Sequence, residues 1–283
     1  MQIELSQHSE HLDETEMDLK ELFQILWKGR LWIAFVTLMS VGIAIFFALN
    51  QPNYYRAEMV MASVAEEKGN TIAGLAGRFG LSDLPGFNFG SSSVDKSTLG
   101  METLKSRVFL TRFIHENNLS VPLMASKGWD KENDKWIINP EIYDEKTGRW
   151  LDQAPTDWQV CKTLRSKINI TADKKTGIIN LTVESLSPLY ANEWASKLVA
   201  DLNNYLRESD VLEARKNTVF LEKQLKNTSV AEFQSVLYQL IEQQTKTIML
   251  AEARDGYVFR VIDPPVIPEE KAGPKRAFIV VVA

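Results

Sequence analysis

A long apolar stretch near the N-terminus constrains this chain more than any other feature. Residues 31–49, LWIAFVTLMSVGIAIFFAL, include no charged residue and no proline. As a helix they extend over about 28 Å, close to the roughly 30 Å hydrocarbon core of a bilayer. A core helix of a soluble protein is rarely this long and apolar, and the long polar segment before it is not typical of a cleaved signal peptide. The sequence therefore predicts a transmembrane helix over residues 31–49.

The flanking residues indicate how this helix is oriented. Residues 1–30 begin as an acidic tail, and the apolar spacing within 17–27 predicts an amphipathic helix at the membrane interface. Three basic residues precede the apolar stretch and two follow further away: Lys20, Lys28 and Arg30, then Arg56 and Lys68. By the positive-inside rule, we expect residues 1–30 in the cytoplasm and the main domain on the other side of the membrane.

The C-terminal end is apolar as well. Residues 277–283, AFIVVVA, have no polar side chain, but they are too few to cross a bilayer. We expect them to be the start of a second transmembrane helix in a chain that is clipped here. Residues 50–276 then form one external domain between the two membrane segments.

Hydrophobic periodicity predicts both strands and helices in this domain. We expect strands at 54–64, 168–172, 178–185 and 257–262, a short hairpin between 128 and 150, and helices at 97–117 and 155–167. Ser97 or Thr98 is expected to cap the first helix, and Pro155 to begin the second.

Two longer amphipathic segments follow. Ser187 and Pro188 predict the start of a helix that continues to about residue 226, and the Ser229–Glu232 spacing predicts a capping box for a second helix to about 254. Because only a short break separates them, the two helices must pack antiparallel. The expected fold class is α+β, with a mixed sheet, packed helices and a helical hairpin over 187–254, flanked by transmembrane helices.

The residue inventory gives little support for catalysis. The single cysteine, Cys161, lies in an apolar-periodic segment and is expected to be buried. No predicted element brings together a carboxylate pair, a Ser/His/Asp set or a cluster of metal ligands, and no phosphate-binding glycine motif follows a strand. The net charge of −5 and the lack of a basic stripe argue against nucleic-acid binding. We therefore expect no catalytic residue, no cofactor and no metal.

The tryptophans of the external domain allow two interpretations. Their flat apolar faces are suited to a sugar-binding surface, but they are equally suited to packing against the domain body, which is the commoner role. The residues concerned are Trp129, Trp136, Trp150 and Trp158.

The order of these features resembles the Wzz family, the polysaccharide co-polymerases or chain-length determinant proteins. The resemblance extends over nearly the whole chain and is carried by residues 18–27, 104–109, 178–188, 238–251 and 259–276. The last segment, FRVIDPPVIPEEKAGPKR, is similar to the proline-rich motif of the family. The residues that match family motifs are Arg107, Pro264, Pro265, Pro268, Gly273 and Pro274. Two features depart from the family pattern: the helical hairpin is short, and the second membrane helix is missing from the residues in hand.

The resemblance implies an octamer-like homo-oligomeric ring in the bacterial inner membrane, with its main domain in the periplasm. It implies no bond chemistry. The ring would set the modal length of a lipid-linked surface polysaccharide such as O-antigen, together with a separate polysaccharide polymerase. The expected partners are copies of the chain, the polymerase, the lipid-linked polysaccharide and the membrane. The motif residues are expected to act through fold and assembly.

Two other classes of protein share parts of this layout. The chain could be the membrane and periplasmic part of a tyrosine autokinase that controls capsule or exopolysaccharide polymerisation and export. A nucleotide-binding motif beyond residue 283 would favour that class. A ligand-sensing receptor is a weaker alternative, since it would need a cytoplasmic signalling helix after the second membrane segment.

Overall fold

The computed structural model describes residues 27, 29–64, 95–173 and 175–277. By its internal contacts the chain divides into two compact units, residues 1–51 with 275–283, and residues 52–274. The predicted interfacial helix before Trp27, and residues 278–283 of the second apolar segment, lie outside the described residues.

The first unit is described chiefly by helix α1, Arg30–Asn50. The 21 residues of α1 correspond to about 32 Å, and α1 is the one helix among the described residues that is long and apolar enough to cross a membrane. Arg276, also in this unit, donates from Nη2 to the carbonyl of Gln51 at 3.2 Å. The helix predicted over 31–49 is confirmed, with one more residue at each end.

The second unit alternates short helices and strands before its two long helices. In chain order its elements are β1 (Tyr55–Ser63), α2 (Lys96–Leu104), α3 (Arg107–Glu116), α4 (Ser120–Met124), β2 (Ser126–Asp130), β3 (Lys135–Ile138), β4 (Tyr143–Asp144), β5 (Arg149–Trp150), α5 (Asp157–Ser166), β6 (Ile168–Ala172), β7 (Ile178–Ser185), α6 (Pro188–Lys226), α7 (Ala231–Ala253) and β8 (Phe259–Asp263).

A four-stranded sheet in the order β6-β7-β1-β8 is the base of this unit. All the pairings described in it are antiparallel, so the expected mixed sheet is wrong. The short turn between β6 and β7 forces that pair to run antiparallel, and β1 lies between β7 and β8.

One face of the sheet is buried beneath the first half of α6. In the central pair, Met59 lies opposite Leu181 and Met61 opposite Ile179, and all four side chains are buried. These residues share one core with Leu198 and Leu202 of α6 and with the inward faces of α3 and α5. The alternation of buried and outward residues along β1 and β7 therefore fixes which side of the sheet the helices cover.

The two tight turns share a sequence, Asp-x-Lys-Thr-Gly. Asp144 accepts hydrogen bonds from the Lys146 amide at 2.9 Å and from Thr147 Oγ1 at 2.8 Å. Asp173 repeats the arrangement, accepting from the Lys175 amide at 2.8 Å and from Thr176 Oγ1 at 2.9 Å. Each turn ends at a glycine with positive φ, Gly148 and Gly177, where a side chain would be strained.

The helix predicted over 97–117 is instead two helices. Ser106 interrupts it, because its extended backbone lets Oγ accept the Phe109 amide at 3.3 Å and cap α3. The expected caps at Ser97 or Thr98 are wrong, since α2 begins at Lys96 without a side-chain cap.

The other helix starts follow the predicted residues in part. Thr156 caps α5 through a capping box with Gln159, so the predicted start at Pro155 is two residues early. Ser187 caps α6 with Pro188 in its first turn, as predicted. The capping box predicted at Ser229 is wrong, because α7 begins after Val230 and no side chain caps it.

Two β-hairpins lie where one was predicted. Strands β2 and β3 pair antiparallel and place Trp129 opposite Trp136. Strands β4 and β5 form the second, with Tyr143 opposite Trp150. The turn predicted around residues 145–148 therefore belongs to a hairpin separate from Trp136.

The long helices α6 and α7 pack antiparallel, as predicted for the helical hairpin. Leu221 of α6 packs with Leu237 and Leu240 of α7, and further along Arg215 Nη2 lies 3.4 Å from Glu252 Oε1. Residues earlier in α6 thus contact residues later in α7, so the two helices run antiparallel.

Candidate functional site

The second unit begins and ends at one backbone bridge. The Tyr54 amide donates to the Gly273 carbonyl at 3.0 Å, and the Ala272 amide donates to the Tyr54 carbonyl at 2.9 Å. The ring of Tyr54 occupies the space where a Cβ on residue 273 would lie. Glycine at this motif position therefore allows the two ends of the unit to meet closely.

The motif prolines follow β8 in a segment without regular structure. Pro264 is exposed, Pro268 is partly buried, and Pro265 and Pro274 are buried. Since proline has no amide hydrogen to donate to a ladder, this composition ends the sheet after Asp263.

Arg107 lies elsewhere in the unit. It is the exposed first residue of α3, and among the described residues no hydrogen bond or ion pair joins it to the proline segment. The structure thus brings Gly273 to Tyr54 but does not link Arg107 to the other motif residues.

A polar clamp, formed by Asn203, Arg207 and Asp210 of α6, holds the chain where α7 leads into β8. The Asn203 side chain is buried; its Nδ2 donates to the Phe259 carbonyl at 2.8 Å, and its Oδ1 accepts the Val258 and Phe259 amides at 2.9 and 3.0 Å. One amide group thereby satisfies three backbone groups that would otherwise lie unpaired in the core.

The next residue of the clamp closes the end of α7. Arg207 Nη2 donates to the carbonyls of Arg254 at 2.8 Å and Asp255 at 3.1 Å. A guanidinium at this position satisfies terminal carbonyls and favours the negative end of the helix dipole.

The last residue of the clamp binds two groups at once. Asp210 Oδ2 accepts the Tyr257 hydroxyl at 2.5 Å and lies 3.1 Å from Lys96 Nζ. Burial raises the pKa of Tyr257 to about 12, and the neighbouring Asp210 carboxylate acts in the same direction, because both disfavour a phenolate. The phenol therefore remains a hydrogen-bond donor over the physiological range.

The sequence prediction missed this clamp. Residues 203, 207 and 210 have the spacing i, i+4, i+7, which places three polar residues on one side of an amphipathic helix. That spacing was a usable signal for a polar contact, although the partners at 254–259 could not be inferred from it.

Cys161 is buried and free, which confirms its predicted placement. Burial raises the pKa of its thiol, while the positive charges of Arg165 and Arg107 and hydrogen bonding with Thr111 act in the opposite direction. The thiol is thus kept in its less reactive, protonated form.

The four tryptophans do not form one surface. Trp129 and Trp136 stack edge to face with centroids 5.2 Å apart, and Trp136 continues into Tyr190 and Trp194 of α6. Trp150 instead packs on Tyr143. Trp158 lies exposed on α5 beneath Lys162. Packing against the domain body, the alternative favoured from sequence, accounts for Trp129 and Trp136.

The outer part of the helical hairpin exposes apolar side chains in two narrow stripes. Leu212 and Val219 are seven residues apart on α6, and Tyr238 and Met249 are eleven apart on α7. Both spacings return to nearly the same side of a helix. Each of these side chains is more than half exposed, at 55%, 66%, 60% and 64% respectively. Exposed apolar stripes of this kind are typical of interaction surfaces.

No group of three or more metal-ligating side chains occurs in the part of the chain that the structure describes. The polar clusters there, such as the clamp, are engaged in internal hydrogen bonds. The arrangement can fix backbone segments and present a long helical surface.

Comparison with protein families identifies the N-terminal third of the chain. Residues 15–117 match the model of the Wzz family, described as chain length determinant protein. The resemblance inferred from the sequence is confirmed over these residues, which are similar to the chain length determinant family. This match supports regulation of polysaccharide chain length as its role.

Two of the solved structures that match this chain are co-polymerases. One is a full-length bacterial polysaccharide co-polymerase, at 12% identity and TM-score 0.35, covering 94% of this chain and 92% of that one. The other is a fragment of WzzB, a polysaccharide co-polymerase from Salmonella Typhimurium, at 13% identity and TM-score 0.33, covering 78% of this chain and 100% of that one. No curated protein matches by sequence comparison.

Proposed function

We propose that this chain is a non-enzymatic regulator of the length of a lipid-linked surface polysaccharide of the O-antigen type. The match of residues 15–117 to the chain length determinant family is the observation that carries the proposal. The chain acts as a homo-oligomeric, octamer-like scaffold beside a separate polysaccharide polymerase. It is anchored in the bacterial inner membrane by α1, with residues 1–30 in the cytoplasm and 50–276 in the periplasm.

The helical hairpin supplies the contact between copies in this proposal. The stripes at Leu212 and Val219 and at Tyr238 and Met249 are supporting observations, because apolar side chains on a narrow two-helix arm gain most by packing against another surface. Rings of identical subunits use two different patches per contact, and two stripes on different helices fit that requirement.

A deletion strain tests the role directly. Polysaccharide from wild-type and deletion cells is resolved on a gel, and we expect the deletion to abolish the modal cluster of lengths while polymer is still made. Loss of all polymer would contradict a purely regulatory role and would favour synthesis or export, as expected for the autokinase alternative.

A charge placed in one stripe tests the contact. We expect Val219→Glu to reduce oligomer size in native mass spectrometry and to broaden the polymer lengths, because the new carboxylate would be buried without a partner. Gln239→Glu is the matched control, since Gln239 is exposed on α7 about 100° around the helix from Tyr238 and the variant gains the same charge. Equal oligomer size in both variants would contradict the assignment of this surface.

The proline-rich motif is proposed to act through fold and assembly. A double change of Pro264 and Pro265 to Ala frees the backbone after β8. We expect it to alter the oligomer size, the membrane level or the distribution of polymer lengths. If all three are unaltered, the motif has no assembly role.

A further inference from the structure

The four-stranded sheet has two edge strands, β6 and β8, and among the described residues only the edge at β8 is closed. There, Asn203 binds both backbone groups of Phe259: its Nδ2 donates to the carbonyl at 2.8 Å, and its Oδ1 accepts the amide at 3.0 Å. Pro264 and Pro265 follow the strand and have no amide hydrogen to donate. A side chain of α6 therefore occupies the place where a further strand would pair with β8.

The backbone of β6 is open along its outer side. The Glu184 amide donates to the Lys167 carbonyl at 2.9 Å, and the Asp173 amide donates to the Ile178 carbonyl at 2.9 Å. In an antiparallel ladder, residues bonded to the partner strand alternate with residues whose amide and carbonyl point away from it. The outward set in β6, whose backbone groups form no hydrogen bond among the described residues, is Ile168, Ile170 and Ala172.

The sequence of β6 has none of the features that usually protect an edge strand. It is Ile-Asn-Ile-Thr-Ala, without a charged residue and without a proline. Asn169, Thr171 and Ala172 are exposed, so this part of the strand is accessible to solvent. The sheet therefore keeps one edge, at β6, where it can accept a further strand.

The sequence of residues 84–94 is suited to such an edge. It is LPGFNFGSSSV, without a charged residue, and Phe87 and Phe89 alternate with polar or small residues. In antiparallel pairing with β6, the two phenylalanines would extend the inward-facing row that contains Ile168 and Ile170.

These residues belong to the connection between β1 and α2, whose two ends lie on the β8 side of the sheet. The connection begins after Val64, whose amide donates to the Val258 carbonyl at 2.9 Å. It ends before Asp95, and the next residue, Lys96, places Nζ 4.9 Å from the centroid of the Tyr257 ring. Within one copy, β1 and β7 separate this side of the sheet from β6.

A neighbouring copy can bring the segment and the open edge together. In a head-to-tail ring each contact joins two different surfaces, so the β8 side of one copy can face the β6 side of the next. Residues 65–83 can extend over about 60 Å, which is long enough for this connection. We propose that residues 84–94 of one copy add a strand to the β6 edge of the next copy. This contact rests on the proposed homo-oligomer and is distinct from the contact of the helical stripes.

Cysteine cross-linking tests the pairing in the full chain, kept in its native membranes and carrying Cys161→Ala. If the phenylalanines face inward, Asn88 lies on the outer face opposite Asn169 or Thr171. Asn88→Cys is therefore combined in turn with Asn169→Cys and with Thr171→Cys, and the membranes are oxidised with copper phenanthroline. Paired strands hold Cα atoms within the roughly 4.4–6.8 Å that a disulfide needs.

We expect one of these two combinations to give covalent dimers and higher multimers on a denaturing gel. The matched control combines Asn88→Cys with Glu58→Cys, since Glu58 is exposed on the same face but lies in the central strand β1. It should give no multimers. Multimers in equal yield from the control would reflect random collision and would overturn the proposal.

The remaining outcomes overturn the proposal for different reasons. Loss of free thiols without multimers would show that the segment pairs within its own copy. Multimers from Asn169→Cys or Thr171→Cys alone would show that β6 pairs with β6. No cross-link, while native mass spectrometry still finds the oligomer, would refute this contact and leave the proposed homo-oligomer in place. A monomer in mass spectrometry would refute both.

A proline tests whether the contact is made through the backbone. The Ala172 amide points away from β7, so Ala172→Pro removes an outward donor without breaking a hydrogen bond inside the sheet. We expect the cross-linking yield to fall about fivefold, the equivalent of one hydrogen bond. Ala172→Ser keeps the amide and should leave the yield unchanged. Equal yields from the two variants, with unchanged circular dichroism, would show that no strand pairs there and would overturn the proposal.

Discussion

Helix α6 passes through two environments, and the difference between its halves explains the architecture of the main unit. In residues 188–206 most inward positions are buried: Ala191, Trp194, Ala195, Leu198, Val199, Leu202 and Leu206. In residues 207–226 only Ala214 and Leu221 are buried. The apolar periodicity of the sequence continues through both halves.

The number of layers around the helix accounts for this difference. The first half covers the sheet and shares a core with α3 and α5, so it is enclosed on several sides. The second half leaves that core after Val211 and packs on α7. There, four buried residues form a small separate cluster: Leu221, Val236, Leu237 and Leu240. One amphipathic helix can therefore belong both to a core and to an exposed arm that is available to a partner.

The largest effect on the free energy of unfolding should come from truncating one buried leucine to alanine in each half of α6. We expect Leu198→Ala to lower the free energy of unfolding by about 4 kcal/mol and Leu221→Ala by about 2 kcal/mol, because the two-helix arm can collapse around a cavity and the enclosed core cannot. Guanidinium unfolding of the purified chain in detergent, followed by tryptophan fluorescence, measures both. Equal losses would show that the arm is as tightly packed as the core.

Asn203 lies near the boundary between the two halves of α6, and its hydrogen bonds should contribute strongly to stability there. Asn203→Ala leaves two buried amides and one carbonyl without partners, so we expect a loss of about 3 kcal/mol. The control is Ser209→Ala, since Ser209 is exposed on the same helix and the substitution should change stability by less than about 0.5 kcal/mol. Similar losses at the two positions would contradict the clamp.

The close packing of α2 against the start of β8 should give a smaller loss of stability when it is disturbed. A Cβ at Gly100 of α2 would lie 2.8 Å from Val258 Cγ1 and 2.9 Å from Phe259 Cζ. We expect Gly100→Ala to cost about 1–2 kcal/mol, because the strain exceeds the gain in helix propensity. Gly42→Ala in α1 is the helical control, since its Cβ would meet no neighbour within 4 Å. If both substitutions leave the melting temperature unchanged, α2 is not closely packed against the start of β8.

Part of this architecture follows from local sequence signals. The bounds of β6 and β7 and the start of α6 are as predicted, because alternation, a turn ending in Gly177 and the Ser187-Pro188 cap all act within a few residues. The end of α6 at Lys226 is also as predicted, because Asn227 and Thr228 interrupt the helical segment.

The rest depends on contacts distant in the sequence. Asn203 meets its partners at 258 and 259, more than fifty residues later, and no local pattern specifies that pairing. The break at Ser106 was missed because periodicity continues across it, although a serine three residues before Phe109 is a capping signal.

The smallest effect concerns the hydrogen bond from Tyr257 to Asp210, where the arm meets the body. The phenol of Tyr257 ionises with a pKa raised from about 10 to about 12, mainly because of burial, so the neutral form stabilises the fold. This contribution is complete below pH 10 and is lost as the pH rises toward 12. At pH 8, Tyr257→Phe should therefore be less stable than the wild type by about 1 kcal/mol.

The pH dependence separates this bond from simple packing. Lys96 and Asp210 are present in both proteins, so their ion pair does not by itself distinguish the wild type from Tyr257→Phe. We expect that difference to shrink between pH 10 and 12, because the wild type alone must carry a buried phenolate or unfold. Unfolding curves measured across this range would show it. A difference that stays constant with pH would mean that Tyr257 contributes only its ring to the contact between arm and body.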